Sequence, residues 1–153
     1  MAVGASATTS SLAWLADAGL TPSVYEPLVA LEARLWAGDA LDPVLLELVR
    51  VRIAQLLDSP ADLTRRTAAA VDAGLGETQI AELAAWPTSA LVDDRAKAVL
   101  RWSEQWVVDP GQLTDGDAAT LRAVLTDREC AALSTALAVF EALTRTRVAL
   151  GLA

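Results

Sequence analysis

The chain has 153 residues, 54% of them apolar, with 20 acidic against 12 basic side chains and a net charge of −8. That length predicts one domain, residues 1–153, able to bury a core without disulfides or metal, and the negative balance argues against nucleic-acid or anionic-membrane partners, which need concentrated positive charge. A single cysteine, Cys130, rules out an intrachain disulfide, and the absence of histidine removes the commonest metal ligand and general base, so neither a metal nor another cofactor is expected.

Apolar residues recur at helical spacing almost throughout and no segment alternates with period two, which predicts an all-α fold of about eight helices. Ser10 or Ser11 is placed to cap a short first helix ending at Gly19. Pro22 opens a second that runs to Gly38, with Pro27 close enough to its start to be tolerated. Pro43 starts the third, "PVLLELVRVRIAQLL". Ser59 is read as the cap of a fourth that extends to Gly74, with Pro60 at its first position and Asp62 reaching back toward the cap.

A short fifth helix, "ETQIAELAAW", stops before Pro87. Asp93 caps a sixth that reaches about Val108, and the pairs Thr114/Asp117 and Thr126/Glu129 read as capping boxes opening a seventh helix and a long eighth that runs to Gly151. The third and eighth lack a clear polar face, which predicts that they are buried in the fold or between subunits of a homo-oligomer. Charges inside them, Glu47, Arg50 and Arg52 in one and Glu141, Arg145 and Arg147 in the other, therefore require partners.

Mean hydropathy is +0.37, yet the apolar run from Cys130 to Phe140 is too short to span a bilayer. The opening "MAVGASATTSS" carries no Lys or Arg ahead of an apolar stretch, so a secretory signal is not expected and a cytoplasmic location is.

Glu47 is followed after eleven residues by Ser59, then Asp62 and Arg66, in the frame E-x11-S-x2-D-x3-R. Together with "LDPVLLELVRVRIAQLL", "TAAAVDAGLGETQIAELAAW", "LVDDRAKAVLRWSEQW" and "TRTRVALG", this frame resembles the alkylhydroperoxidase D (AhpD)-like and carboxymuconolactone decarboxylase-like family over roughly residues 41–151, with residues 1–40 as a variable extension. In the peroxidase branch the resemblance implies E-x11-C-x2-C-x3-H: two redox cysteines at a helix start, where the helix dipole favours thiolate, with a Glu and a His relaying protons. By that resemblance Glu47 keeps the relay acid, while Ser59, Asp62 and Arg66 stand at the two cysteine positions and the histidine position. A serine and an aspartate do not cycle between dithiol and disulfide.

Each residue also has a structural reading. Glu47 is either a remnant relay acid or the ion-pair partner of Arg50 or Arg66, with pairing the expected role; Ser59 is a cap and Asp62 a first-turn carboxylate. Cys130 is expected to act as a small hydrophobe, Glu141 and Arg145 to form an i,i+4 ion pair, and the five tryptophans to fill core and interface. Family geometry aims Arg66 at Asp62 and Glu47, which predicts a static cluster bridged by Arg66.

The resemblance implies a homo-oligomer with a degenerate redox site, serving as a binding or structural protein. The alternative is an acid–base enzyme of decarboxylase or lactone type, in which Glu47 acts on a small carboxylated substrate held by Arg66, Glu141 or Arg145. An open pocket at Glu47 distinguishes the second from the first. Residual hydroperoxidase activity is the remaining reading, and the absent cysteines and histidine speak against it.

Overall fold

The computed structural model describes residues 12–152, and the caps assigned to Ser10 or Ser11 lie outside them. The described residues are helical with no strand: α1 (Ala13–Asp17), α2 (Pro22–Trp36), α3 (Pro43–Leu56), α4 (Pro60–Thr64), α5 (Ala68–Asp72), α6 (Glu77–Glu82), α7 (Asp94–Val108), α8 (Asp115–Arg122) and α9 (Asp127–Ala149), with 3₁₀ turns at Leu83–Ala85 and Pro110–Gln112. Four of the nine α-helices among the described residues start at a residue whose side chain accepts from the first turn. Asp42 and Asp93 accept from the N–H groups of Leu45 and Ala96, and Thr114 and Thr126 form reciprocal boxes with Asp117 and Glu129.

α3 is the central element. Every residue from Leu45 to Val51 is buried, as are Ile53 and Ala54, because α7 and α9 pack on it from two sides and α4 and α5 close its C-terminal half. α7 contributes Val99, Leu100, Ser103 and Val107, one stripe at helical spacing, and α9 contributes Leu133, Ala136, Leu137 and Phe140. Leu133 and Leu137 have no exposed surface, so burying each is worth roughly 1.5–3 kcal/mol.

α9 is enclosed on one side only within the single chain. Its outer side, Ala131, Thr135, Ala138, Ala142 and Thr146, faces solvent and is small and weakly polar. α3, by contrast, is enclosed on all sides from Leu45 to Val51.

The helix expected from Ser59 to Gly74 is two helices. Arg65 and Thr67 are extended, with ψ of 143° and 139°. In a continuous helix the Thr67 N–H would bond the Leu63 carbonyl; instead it donates to Glu47, and the Leu63 carbonyl accepts from Arg66. Side chains thus replace the helical bond between Thr67 and Leu63 at the break. Upstream, Asp58 takes a left-handed φ of 53°, and the Ser59 N–H donates to the Ala54 carbonyl, a Schellman closure that turns the chain back against α3.

Candidate functional site

The turn after α3 brings α4 across Glu47 and Arg50, and the site grows from these two residues. Glu47 has no exposed surface and Arg50 is 2% exposed. Arg50 clamps the carboxylate bidentately, Nε to Oε2 at 3.0 Å and Nη2 to Oε1 at 2.7 Å. Thr67 supplies two more donors, its N–H to Oε1 at 3.2 Å and its hydroxyl to Oε2 at 2.9 Å. Each oxygen of Glu47 therefore accepts two hydrogen bonds.

Burial alone pushes the Glu47 carboxyl up; the hydrogen bonds and charge of Arg50, with the two bonds from Thr67, outweigh it and hold the group below the usual glutamate range. A buried, fully bonded anion of this kind neither donates a proton near neutrality nor has a lone pair directed at a substrate.

Arg50 also ties the broken helix to α3, since its Nη1 donates to the Asp62 carbonyl at 2.9 Å and its Nη2 to the Arg65 carbonyl at 2.7 Å. Asp62, 5% exposed, accepts from the Ser59 hydroxyl at 2.8 Å and from Arg147 Nη1 at 3.0 Å, with Arg65 Nη2 3.8 Å from the same oxygen that Arg147 holds. Arg65 reaches Glu32 of α2 at 3.6 Å, and the Arg147 guanidinium lies 4.8 Å from the centre of the Trp14 ring. Residues from α1, α2, α3, α4, α9 and the linker between α4 and α5 thus meet in one buried polar cluster.

Two expectations are corrected here. Ser59 occupies the cap position of α4, but its hydroxyl donates to the Asp62 carboxylate and caps no backbone N–H. Arg66 does not bridge Asp62 and Glu47: its Nε and Nη2 pair with Glu77, at 2.8 and 3.0 Å, and its Nη1 donates to the Leu63 and Arg65 carbonyls. The break at Arg65 turns Arg66 off the face it would share with Asp62 in a continuous helix. The cluster is closed instead by Arg50, Arg65 and Arg147. Of these, Arg147 was visible in the sequence as a charge in an apolar helix and Arg50 as a neighbour of Glu47 at helical spacing; Arg65, Glu32 and Thr67 gave no signal.

Glu141 and Arg145 form the expected pair, Nε to Oε1 at 2.8 Å, in a different setting. Glu141 also accepts from the Trp106 indole at 3.1 Å, and Arg145 donates to the Val107 carbonyl at 2.9 Å. They border an open cleft of about 670 Å³ with Val108, Pro110 and Leu113. The structure therefore does not bring Arg66 together with Glu141 and Arg145. Cys130 is half-buried in the first turn of α9, where burial pushes its thiol up, and it lies 17 residues, about 25 Å of helix, before Arg147.

The model of the carboxymuconolactone decarboxylase family matches residues 22–105, more than half of the chain. The chain belongs to that family. Two uncharacterised proteins of Mycobacterium tuberculosis, MT2376 of strain CDC 1551 and Rv2313c of strain H37Rv, are each 33% identical over 126 residues, which is 82% of this chain and 43% of theirs. The chain thus spans less than half the length of these curated relatives. Among solved structures, it is similar to ATU0492 of Agrobacterium tumefaciens, a protein of unknown function proposed to be the antioxidant defence protein AhpD, with a TM-score of 0.78 and 20% identity over 90% of this chain and 94% of that one. That likeness establishes an AhpD-like fold.

Proposed function

We propose that this member of the carboxymuconolactone decarboxylase family is a non-redox binding or structural protein, cytoplasmic and self-associating, in which a static ion-pair cluster occupies the place of the family's dithiol and proton relay. The observation that carries this reading is the fourfold bonding of Glu47, which leaves the expected relay acid with no exposed surface. Its chemistry agrees with the stoichiometry of the chain, since one cysteine cannot form an intramolecular disulfide and Arg66, always cationic, cannot shuttle protons. The same observation weighs against an acid–base enzyme built on Glu47. Self-association is supported by the small, uncharged outer face of α9, with Val148 and Leu150 exposed near its end.

The test is reduction of cumene hydroperoxide or hydrogen peroxide with dithiothreitol or dihydrolipoamide as donor, with sedimentation velocity on the same preparation. Turnover no greater than that of an unrelated protein, from a species heavier than the monomer, is expected. Turnover that survives Cys130→Ala would overturn the non-redox reading, and a monomer at all concentrations would remove self-association.

A further inference from the structure

A second concavity shares no lining residue with the Glu47 cluster. It is a pocket of about 290 Å³ between the starts of α3 and α7, close to the lower end of the range for small-molecule sites, roughly 300–1,000 Å³. Its floor is apolar: Leu45, Leu48 and Val92 are 6%, 3% and 3% exposed and belong to the core. Its rim is acidic, because Asp42 and Asp93, both exposed, cap the two helices there.

Each cap engages one carboxylate oxygen and leaves the other. Asp42 Oδ1 accepts from the Leu45 N–H at 3.1 Å and Asp93 Oδ1 from the Ala96 N–H at 2.7 Å, and neither carboxylate has an ion-pair partner among the described residues. Arg95, the cation in the lining, is already paired with Glu129. The rim therefore carries a surplus of negative charge. A bare helix N-terminus holds about half a positive charge and favours anions, and a full carboxylate at each of the two starts reverses that preference. The remaining oxygens accept and do not donate, which suits an ammonium group, a donor with no acceptor. Hydrocarbon attached to such a group suits the floor, since amphipathic cations lay the stem on apolar surface and keep the head in water.

We propose that this pocket binds a small organic ammonium ion, its charged head held by Asp42 and Asp93 and its hydrocarbon part resting on Leu45, Leu48 and Val92. The net charge of −8 draws such cations toward the chain. The site stands or falls separately from the functional reading, because it uses no residue of the Glu47 cluster and is read without any turnover.

Benzylammonium is the probe, with benzyl alcohol as its neutral counterpart of similar shape. Titrated into the ¹⁵N-labelled full chain, the amine is expected to shift the amide resonances of Leu45, Leu48 and Val92 saturably, and the alcohol to bind about tenfold more weakly for want of two exposed charge contacts. The double variant Asp42→Asn, Asp93→Asn retains both caps, because asparagine caps a helix as well as aspartate does. It is expected to fold and to bind the amine about tenfold more weakly than the parent chain. Should it not fold, the comparison of amine and alcohol on the parent chain decides. No saturable shift at these residues, equal affinity for amine and alcohol, or an unchanged affinity in the folded double variant would overturn the site.

Discussion

Two Glu–Arg pairs, each on one helix at helical spacing, have opposite fates in this molecule. Glu47 and Arg50 on α3 are 0% and 2% exposed, whereas Glu141 and Arg145 on α9 have side chains 20% and 51% exposed. The residue types are the same, so the contrast isolates enclosure and extra partners. The α3 pair is braced by Thr67 and by carbonyls of the broken helix, and it holds three segments together. The α9 pair borders an open cleft with one indole and one carbonyl as supports. An ion pair of the first kind is part of the fold, and one of the second is surface chemistry.

Breaking the buried pair should have the largest effect. Arg50→Ala strands Glu47 and two backbone carbonyls in low dielectric, and a loss of about 3–5 kcal/mol is expected in urea unfolding. Removing both charges with Glu47→Leu and Arg50→Met should recover only part of it, because Thr67 and the carbonyls of Asp62 and Arg65 lose their partners as well. Full recovery would show that the pair is dispensable packing. Asp62→Ala, which leaves Arg147 without its carboxylate and Ser59 without its acceptor, should cost roughly 1.5–3 kcal/mol in the same assay.

The comparison is sharpest at the exposed pair. Arg145→Ala should cost under about 1 kcal/mol and lose its effect in high salt. A cost equal to that of Arg50→Ala would mean that enclosure is not what separates the two.

Acid adds a further distinction. Because the folded-state pKa of Glu47 is depressed, its contribution to stability is complete above the ordinary glutamate value and is lost as pH falls through the depressed folded value. Stability measured from neutral pH downward should therefore fall less steeply in Glu47→Gln than in the parent chain. Parallel curves would assign the acid limb to other carboxylates.

What was legible in the sequence was local. Pro22, Pro43, Asp93, Thr114 and Thr126 act through the first turn of their own helices, so element starts were readable from neighbours alone. The break after Thr64 was not, because "LTRRTAAA" contains no breaker and the bonds that replace the helix there come from Glu47 and Arg50, well upstream in the chain. That one miss produced the error at Arg66, whose assumed direction depended on a continuous helix. Ser59 was misread for a related reason: a hydroxyl at a helix start has two acceptors or donors to choose from, and a carboxylate held in place by Arg147 and Arg65 captures it. Arg147 belongs to the cluster by tertiary packing alone.

Glu47 as a fixed anion, not a proton relay, is the reading on which the proposed function rests. It is tested most directly by titrating side-chain carboxyl ¹³C resonances, with the Glu47 signal assigned from its absence in Glu47→Gln. Glu47 is expected to stay ionised below the pH at which ordinary glutamates protonate, with its resonance flat through neutrality. A Glu47 midpoint raised toward neutral pH would contradict it and return the residue to acid–base chemistry.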